Sequence, residues 1–152
     1  MATPPGQNFG VGTGYHTATF TTIATTAAYN GVLFRVVVTD GNSLSTASNA
    51  VTLTVNSPPV ITSQPASQAV ALGSTATFSV TATGTQTLTY AGQFSMNGGA
   101  TWTNFGVGTG YHTATFTTIA TTAAYNGVLF RVVVTDGNSL STASNAVTLT
   151  VQ

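Results

Sequence analysis

Six side chains in this sequence carry a formal charge or titrate near neutral pH: His16, Arg35, Asp40, His112, Arg131 and Asp136. They form two identical sets of one His, one Arg and one Asp. General acid–base catalysis needs tunable groups held within hydrogen-bonding reach of one another, and one such set leaves little to arrange. There is no Glu and no Lys, which removes a paired-Glu glycosidase and a lysine Schiff base. Cys is absent too, so disulfides, thiolate zinc sites and iron–sulfur clusters are excluded. These residues predict a protein that is not an enzyme and holds no cofactor or metal. A formal net charge of +0 offers no cluster of cations for nucleic-acid phosphates or an anionic membrane surface.

The charged residues recur because the chain does. The stretches 8–55 and 104–151 are identical, letter for letter. The segment between them, residues 56–103, occurs once. Perfect identity points to recent duplication, homogenisation within a repeat array, or a designed chain. One and a half repeats are expected: a window on an array, or a fold with a spare half.

Thr, with Ser, Asn and Gly, takes the place of charge. Thr is β-branched, favours extended backbone and offers water a hydroxyl. Periodicity of 2 runs through most of the sequence. Across residues 75–83, Ala76, Phe78, Val80 and Ala82 alternate with Thr and Ser; across 88–94, Leu88, Tyr90, Gly92 and Phe94 share a face. HTATFTT, VLFRVVVT and NAVTLTV continue the pattern, the last placing Val147, Leu149 and Val151 inward. Asn97-Gly98-Gly99, Asn126-Gly127 and Asp136-Gly137-Asn138 supply turns. With no apolar stripe of 3.6-residue period, the prediction is an all-β fold with sandwich-like strand spacing. No stretch reaches the roughly 18 apolar residues of a membrane helix, and MATPPGQNFG lacks the basic and apolar regions of a signal peptide.

Three short motifs carry chemical suggestions. GVGTG, at residues 10–14 and 106–110, superficially resembles a phosphate-binding loop, but no helical pattern follows it, so it reads as a hairpin or bulge turn. Asp136-Gly137-Asn138-Ser139 begins like a calcium loop with too few carboxylates, and reads as a turn. Tyr111-His112, twinned at Tyr15-His16, could join Trp102 and Phe105 in an aromatic patch for a sugar or protein ligand.

The stretch PPVITSQPASQAVALGSTATFSVTATGTQTLTY, residues 58–90, resembles strands A, B and C of the bacterial immunoglobulin-like repeats of secreted and cell-surface proteins. YNGVLFRVVVTDGNSLSTASNAVTLTV, from Tyr125, is similar to strands F and G of those repeats. The resemblance implies an immunoglobulin-like Greek-key β-sandwich: residues 56–152 as one complete domain, residues 1–55 as a duplicated second half-domain with later strands only. It also implies that Val80 and Val132 stand where related domains place their core cysteines. Two departures stand out. The family's strand-C Trp falls at Gly92, a vacancy expected to be filled by Trp102 or by an apolar group from a neighbouring chain. Tyr125 stands where the family often has an Asp that pins a nearby Arg, leaving Arg131 without that partner.

Three function classes follow. The first is a non-catalytic extracellular structural module of a bacterial surface fibre, stalk or adhesin, whose half-sandwich finds its complement on other copies of itself; the expectation is fibres or large oligomers. The second is an engineered or naturally duplicated folding switch in which two identical halves compete for one set of early strands. The third is a carbohydrate- or protein-binding module using Trp102, Phe105, Tyr111 and His112.

Overall fold

A computed structural model describes residues 16–85 and 87–152. The chain divides into two compact units, Met1–Asn56 and Ser57–Gln152.

The described residues of unit 1 contain four short strands, β1 (Leu33–Phe34), β2 (Val37–Thr39), β3 (Ser45–Ala47) and β4 (Val51–Thr52). β1 pairs antiparallel with β4, and β2 with β3. Among the described residues this is a hairpin-like scaffold without an opposing layer.

Unit 2 contains β5 (Val60–Ser63), β6 (Gln68–Val70), β7 (Thr77–Ser79), β8 (Thr81–Thr83), β9 (Thr89–Ser95), β10 (Thr103–Asn104), β11 (Thr115–Thr117), β12 (Leu129–Thr135), β13 (Ser141–Ala143) and β14 (Val147–Val151). One sheet has the order β10-β9-β12-β14-β6, with β13 also on β12; β7 pairs with β11 and β8 with β5. Because β7 and β8 are successive parts of one extended run, these two pairs form the second layer. The run that opens the unit serves both layers, β5 on β8 and β6 parallel to β14. Pro65, buried between β5 and β6, lacks the N–H that a continuous ladder would need there. This connectivity is an immunoglobulin-like Greek-key β-sandwich, as the resemblance implied.

The period-2 pattern decides which side chains meet between the layers. Ala76, Phe78 and Val80 face Phe130, Val132, Val134, Val147 and Leu149, all buried. Phe78 stacks on its cross-strand neighbour Phe116 at 5.3 Å and, across the sandwich, on Phe130 at 4.9 Å.

The repeated sequence therefore appears in two environments. Its local hairpin is unchanged: Leu33↔Thr52 and Val37↔Ala47 reproduce Leu129↔Thr148 and Val133↔Ala143. Elements that depend on the single-copy segment are not reproduced. β12 is one unbroken strand because β9 pairs along all of it, whereas unit 1 has β1 and β2 with Arg35 and Val36 between them. β14 runs to Val151 alongside β6, whereas β4 ends at Thr52. Burial follows suit: Val134 is 0% exposed and Val38 66%, Phe116 1% and Phe20 40%.

This contrast predicts different responses to one substitution. Val134→Ala should lower the stability of unit 2 by about 2 kcal/mol, the transfer and cavity contribution of a fully buried valine. Val38→Ala should change stability by less than about 0.5 kcal/mol. Denaturant titration of both variants, followed at Trp102, provides the comparison; equal losses would contradict the assignment of burial.

Candidate functional site

The aromatic patch expected from sequence does not assemble. Phe105 is a core residue, 4% exposed, its ring 5.6 Å from Phe116 and 5.7 Å from Phe130. Its alternation with exposed Asn104 and Gly106 points it between the layers, onto Phe116 and Phe130. Tyr111 is half-buried against the core, while His112 is exposed with its ring 4.7 Å from that of Tyr111. Their twin Tyr15 lies outside the described residues.

Trp102 belongs to a different place. In the β9–β12 register Gly92 lies opposite Val132 and Gln93 opposite Arg131. Val132 points into the core, so Arg131 and Gln93 share the outer face. There the Arg131 guanidinium stands 4.1 Å from the Trp102 ring centre, and its Nε donates to Gln93 Oε1 at 2.8 Å. Gln93 Nε2 in turn donates to Asn104 Oδ1 at 2.9 Å. Partial burial lowers the Arg131 pKa from its ordinary value, and the group stays protonated at neutral pH. Arg131 thus finds its partners on strand β9 and beside β10, not at the Tyr125 corner. Tyr125 ends a 3-10 turn, Ala123–Tyr125, and packs half-buried on the core. With Phe94, Met96, Phe105, Val107 and Val128 it lines an apolar groove of about 470 Å³.

The vacancy at Gly92 is filled by Phe116, not by Trp102 or a neighbouring chain. A Cβ on Gly92 would lie 3.2 Å from Phe116 Cδ1 and 3.4 Å from Cγ and Cε1. The ring arrives from β11 in the facing layer, which explains how a strand normally carrying a large aromatic tolerates glycine. Phe116 was legible as an inward residue of HTATFTT; the layer opposite Gly92 was not. Val80 and Val132, at the expected cysteine positions, are both buried in the core.

The glycine and aspartate motifs are turns. Gly108 and Gly110 have φ of +87° and +72°, and a side chain on either would strike the carbonyl oxygens of Thr117 and Thr115 respectively. The loop folds back on β11 through reciprocal Thr109–Thr117 backbone bonds of 3.0 and 2.9 Å and closes on no phosphate-binding helix. Asp136 Oδ1 accepts from the Asn138 and Leu140 amides at 2.9 and 3.0 Å, and Asp40 does the same with Asn42 and Leu44. Asp136 Oδ2 is buried without a hydrogen-bond partner. Among the described residues no three His, Cys, Asp or Glu side chains come together as metal ligands.

The feature that unit 2 explains and unit 1 leaves open is the apolar face. Phe20, Val36, Val38 and Val51 are exposed, although their twins Phe116, Val132, Val134 and Val147 are core. Phe20 keeps one described aromatic neighbour, Phe34, at 5.8 Å. This exposed apolar face is the candidate functional site.

No family model and no curated protein matches the chain. Among solved structures it is similar to an I-band fragment of titin, with 21% identity and a TM-score of 0.49 over 64% of this chain and 34% of that one. Titin M4 is similar at 18% identity and a TM-score of 0.48, covering 65% of this chain and 100% of that one. The Ig1-2 module of the Drosophila receptor protein tyrosine phosphatase DLAR gives 18% identity and a TM-score of 0.49, covering 63% and 50%. The chain thus spans about a third of the titin I-band fragment and half of the DLAR module. The fold assignment rests on strand order and register, and the fold by itself assigns no activity.

The packing at Gly92 generates a paired prediction. Gly92→Trp alone should destabilise unit 2 by about 1–3 kcal/mol or more through overpacking. Phe116→Ala alone should cost about 3–5 kcal/mol by opening a cavity. Combined, the two should lose clearly less than their sum, because the indole enters the space the phenyl leaves. Additive losses in thermal or denaturant unfolding would show that the two residues do not share one volume.

Proposed function

We propose that this chain is a non-catalytic structural module of an extracellular or cell-surface assembly, of the kind that builds a bacterial fibre, stalk or adhesin, and that unit 1 is completed by association between chains. The observation that carries the reading is the pair of environments of one sequence: Phe116, Val132, Val134 and Val147 are core in unit 2, and their twins Phe20, Val36, Val38 and Val51 are exposed in unit 1. Fully burying a valine, leucine or phenylalanine contributes about 1.5–3 kcal/mol, so covering several of them outweighs a moderate loss of association entropy. The near absence of charge favours this role, since like-charge repulsion does not keep chains apart. Half-domain complementation is the contact geometry unit 2 already contains, and it satisfies unit 1 wherever an early half is unengaged. The burial of Phe105 weighs against the sugar-binding alternative.

The test is particle size by light scattering and negative-stain imaging. The full chain should form oligomers or filaments, whereas residues 56–152 alone should remain mainly monomeric. A monodisperse full-length monomer with unit 1 open to protease would make the duplicated half a passive spare and overturn the assembly reading.

A further inference from the structure

We infer that residues 33–39 of unit 1 are a self-pairing strand edge, covered by the same residues of a second copy, antiparallel about a two-fold axis at Val36. The inference rests on the reading that unit 1 is completed between chains, and specifies one contact.

Comparison of the two copies of one sequence locates the edge. In unit 2, Leu129–Thr135 is a central strand, with β13 and β14 on one side and β9 along the whole of the other. Its twin in unit 1 keeps only the first side: Leu33–Phe34 pairs with β4, and Val37–Thr39 with β3. Among the described residues no strand pairs with the second side. Val36 N donates to Ser48 Oγ at 3.0 Å, and Val36 O accepts from Ser48 N at 2.8 Å, so Val36 faces the occupied side. Alternation along a strand turns the N–H and C=O groups of Leu33, Arg35, Val37 and Thr39 to the open side. Their twins are the residues that meet Ser95, Gln93, Ala91 and Thr89 in unit 2.

Natural sheets blunt their edges with Lys, Pro or bulges. This edge reads Leu-Phe-Arg-Val-Val-Val-Thr, with no proline, one charge and three consecutive exposed valines. A partner strand must arrive antiparallel, as β9 does on the twin, and must bring apolar side chains to the face of Phe34, Val36 and Val38. The same stretch of a second copy does both. Centred on Val36, the pairing sets Leu33 opposite Thr39, Phe34 opposite Val38 and Arg35 opposite Val37 across the axis. Each of the main-chain groups on the open side then has a partner, about eight hydrogen bonds in all. A slip of two residues forfeits about two of them, and a slip of one turns Arg35 onto the apolar face.

Val36 of the second copy stands where Gly92 stands beside the twin strand. Phe116 closes that space in unit 2, but its own twin Phe20 is exposed and has no described layer holding it in place. The two Arg35 side chains lie diagonally on the outer face and are long enough to extend apart into water. Pairing at the edge joins the apolar faces of two copies into one wider face, so this two-fold contact is compatible with larger particles built by packing face to face.

The chain has no cysteine, so single thiols introduced into the full chain report the contact directly. At a non-hydrogen-bonded antiparallel pair the Cα atoms stand about 4.5 Å apart, within reach of a disulfide. Val36→Cys, on the axis, should therefore give a covalent dimer under mild oxidation. Val38→Cys is the control: the two Val38 positions would lie about 13 Å apart along the paired strands. Val38 is 66% exposed and Val36 42%, so random collision favours Val38. Edge pairing reverses that order, with Val36→Cys cross-linking at least about tenfold faster. Val37→Pro removes a donor on the open side alone, and added to Val36→Cys it should bring the rate down to that of Val38→Cys while Trp102 fluorescence stays unchanged. If the proline unsettles unit 1, the order of the two single-cysteine rates decides by itself. Cross-linking at Val38 as fast as at Val36, in a chain that light scattering shows to be oligomeric, would overturn the edge contact and leave the assembly reading standing. A full chain that stays a monodisperse monomer without a Val36 cross-link would overturn both.

Discussion

The contact of Phe78 with Phe116 and Phe130 joins the single-copy segment to the duplicated one, and the complete sandwich depends on it. Phe78 meets one ring within its own layer and the other across the core, so one side chain ties β7 to β11 and both to β12. Phe105 adds a third aromatic neighbour to Phe116 and Phe130, and Phe116 also closes the space at Gly92. Phe20 and Phe34 in unit 1 are the same residues in the same local sequence. With no described counterpart of Phe78 beside them, Phe20 is exposed and Phe34 only half-buried.

Several of the polar side chains among the described residues serve the fold itself. Arg131 is held by a π-face and a side-chain amide on the outer sheet, both contributed by residues 93 and 102 of the single-copy segment. Its twin Arg35 is exposed. Asp40 and Asp136 each use one carboxylate oxygen to close a turn, and GVGTG at residues 106–110 uses glycine to bring a loop onto β11. The aspartates and glycines of the short motifs are thus engaged in shaping turns.

A half-sandwich in water has open ladder edges and an uncovered apolar face, and natural sheets usually cover, charge or twist such edges away. Unit 1 is almost uncharged, so electrostatic protection is weak. Its β1–β4 and β2–β3 pairs are two-stranded, a form that is marginal without a packing partner.

The sequence by itself determined whatever depends on neighbours close along the chain. The all-β class, the inward faces of Phe78, Val80, Val132, Val147 and Leu149, and the Asp-Gly-Asn-Ser turns were legible in alternation and turn chemistry; the turns form alike in both copies. The late hairpin also keeps one register in both, because its paired residues are near one another in sequence. Only tertiary structure decided the rest. That Phe116 fills the place at Gly92, that Phe105 is core rather than binding surface, and that Trp102 lies outside under Arg131 all depend on which strand faces which. Phe116, Val132, Val134 and Val147 are buried while the identical Phe20, Val36, Val38 and Val51 are exposed, which no local pattern could distinguish. Burial is a property of the opposing layer, which unit 2 has and the described part of unit 1 lacks.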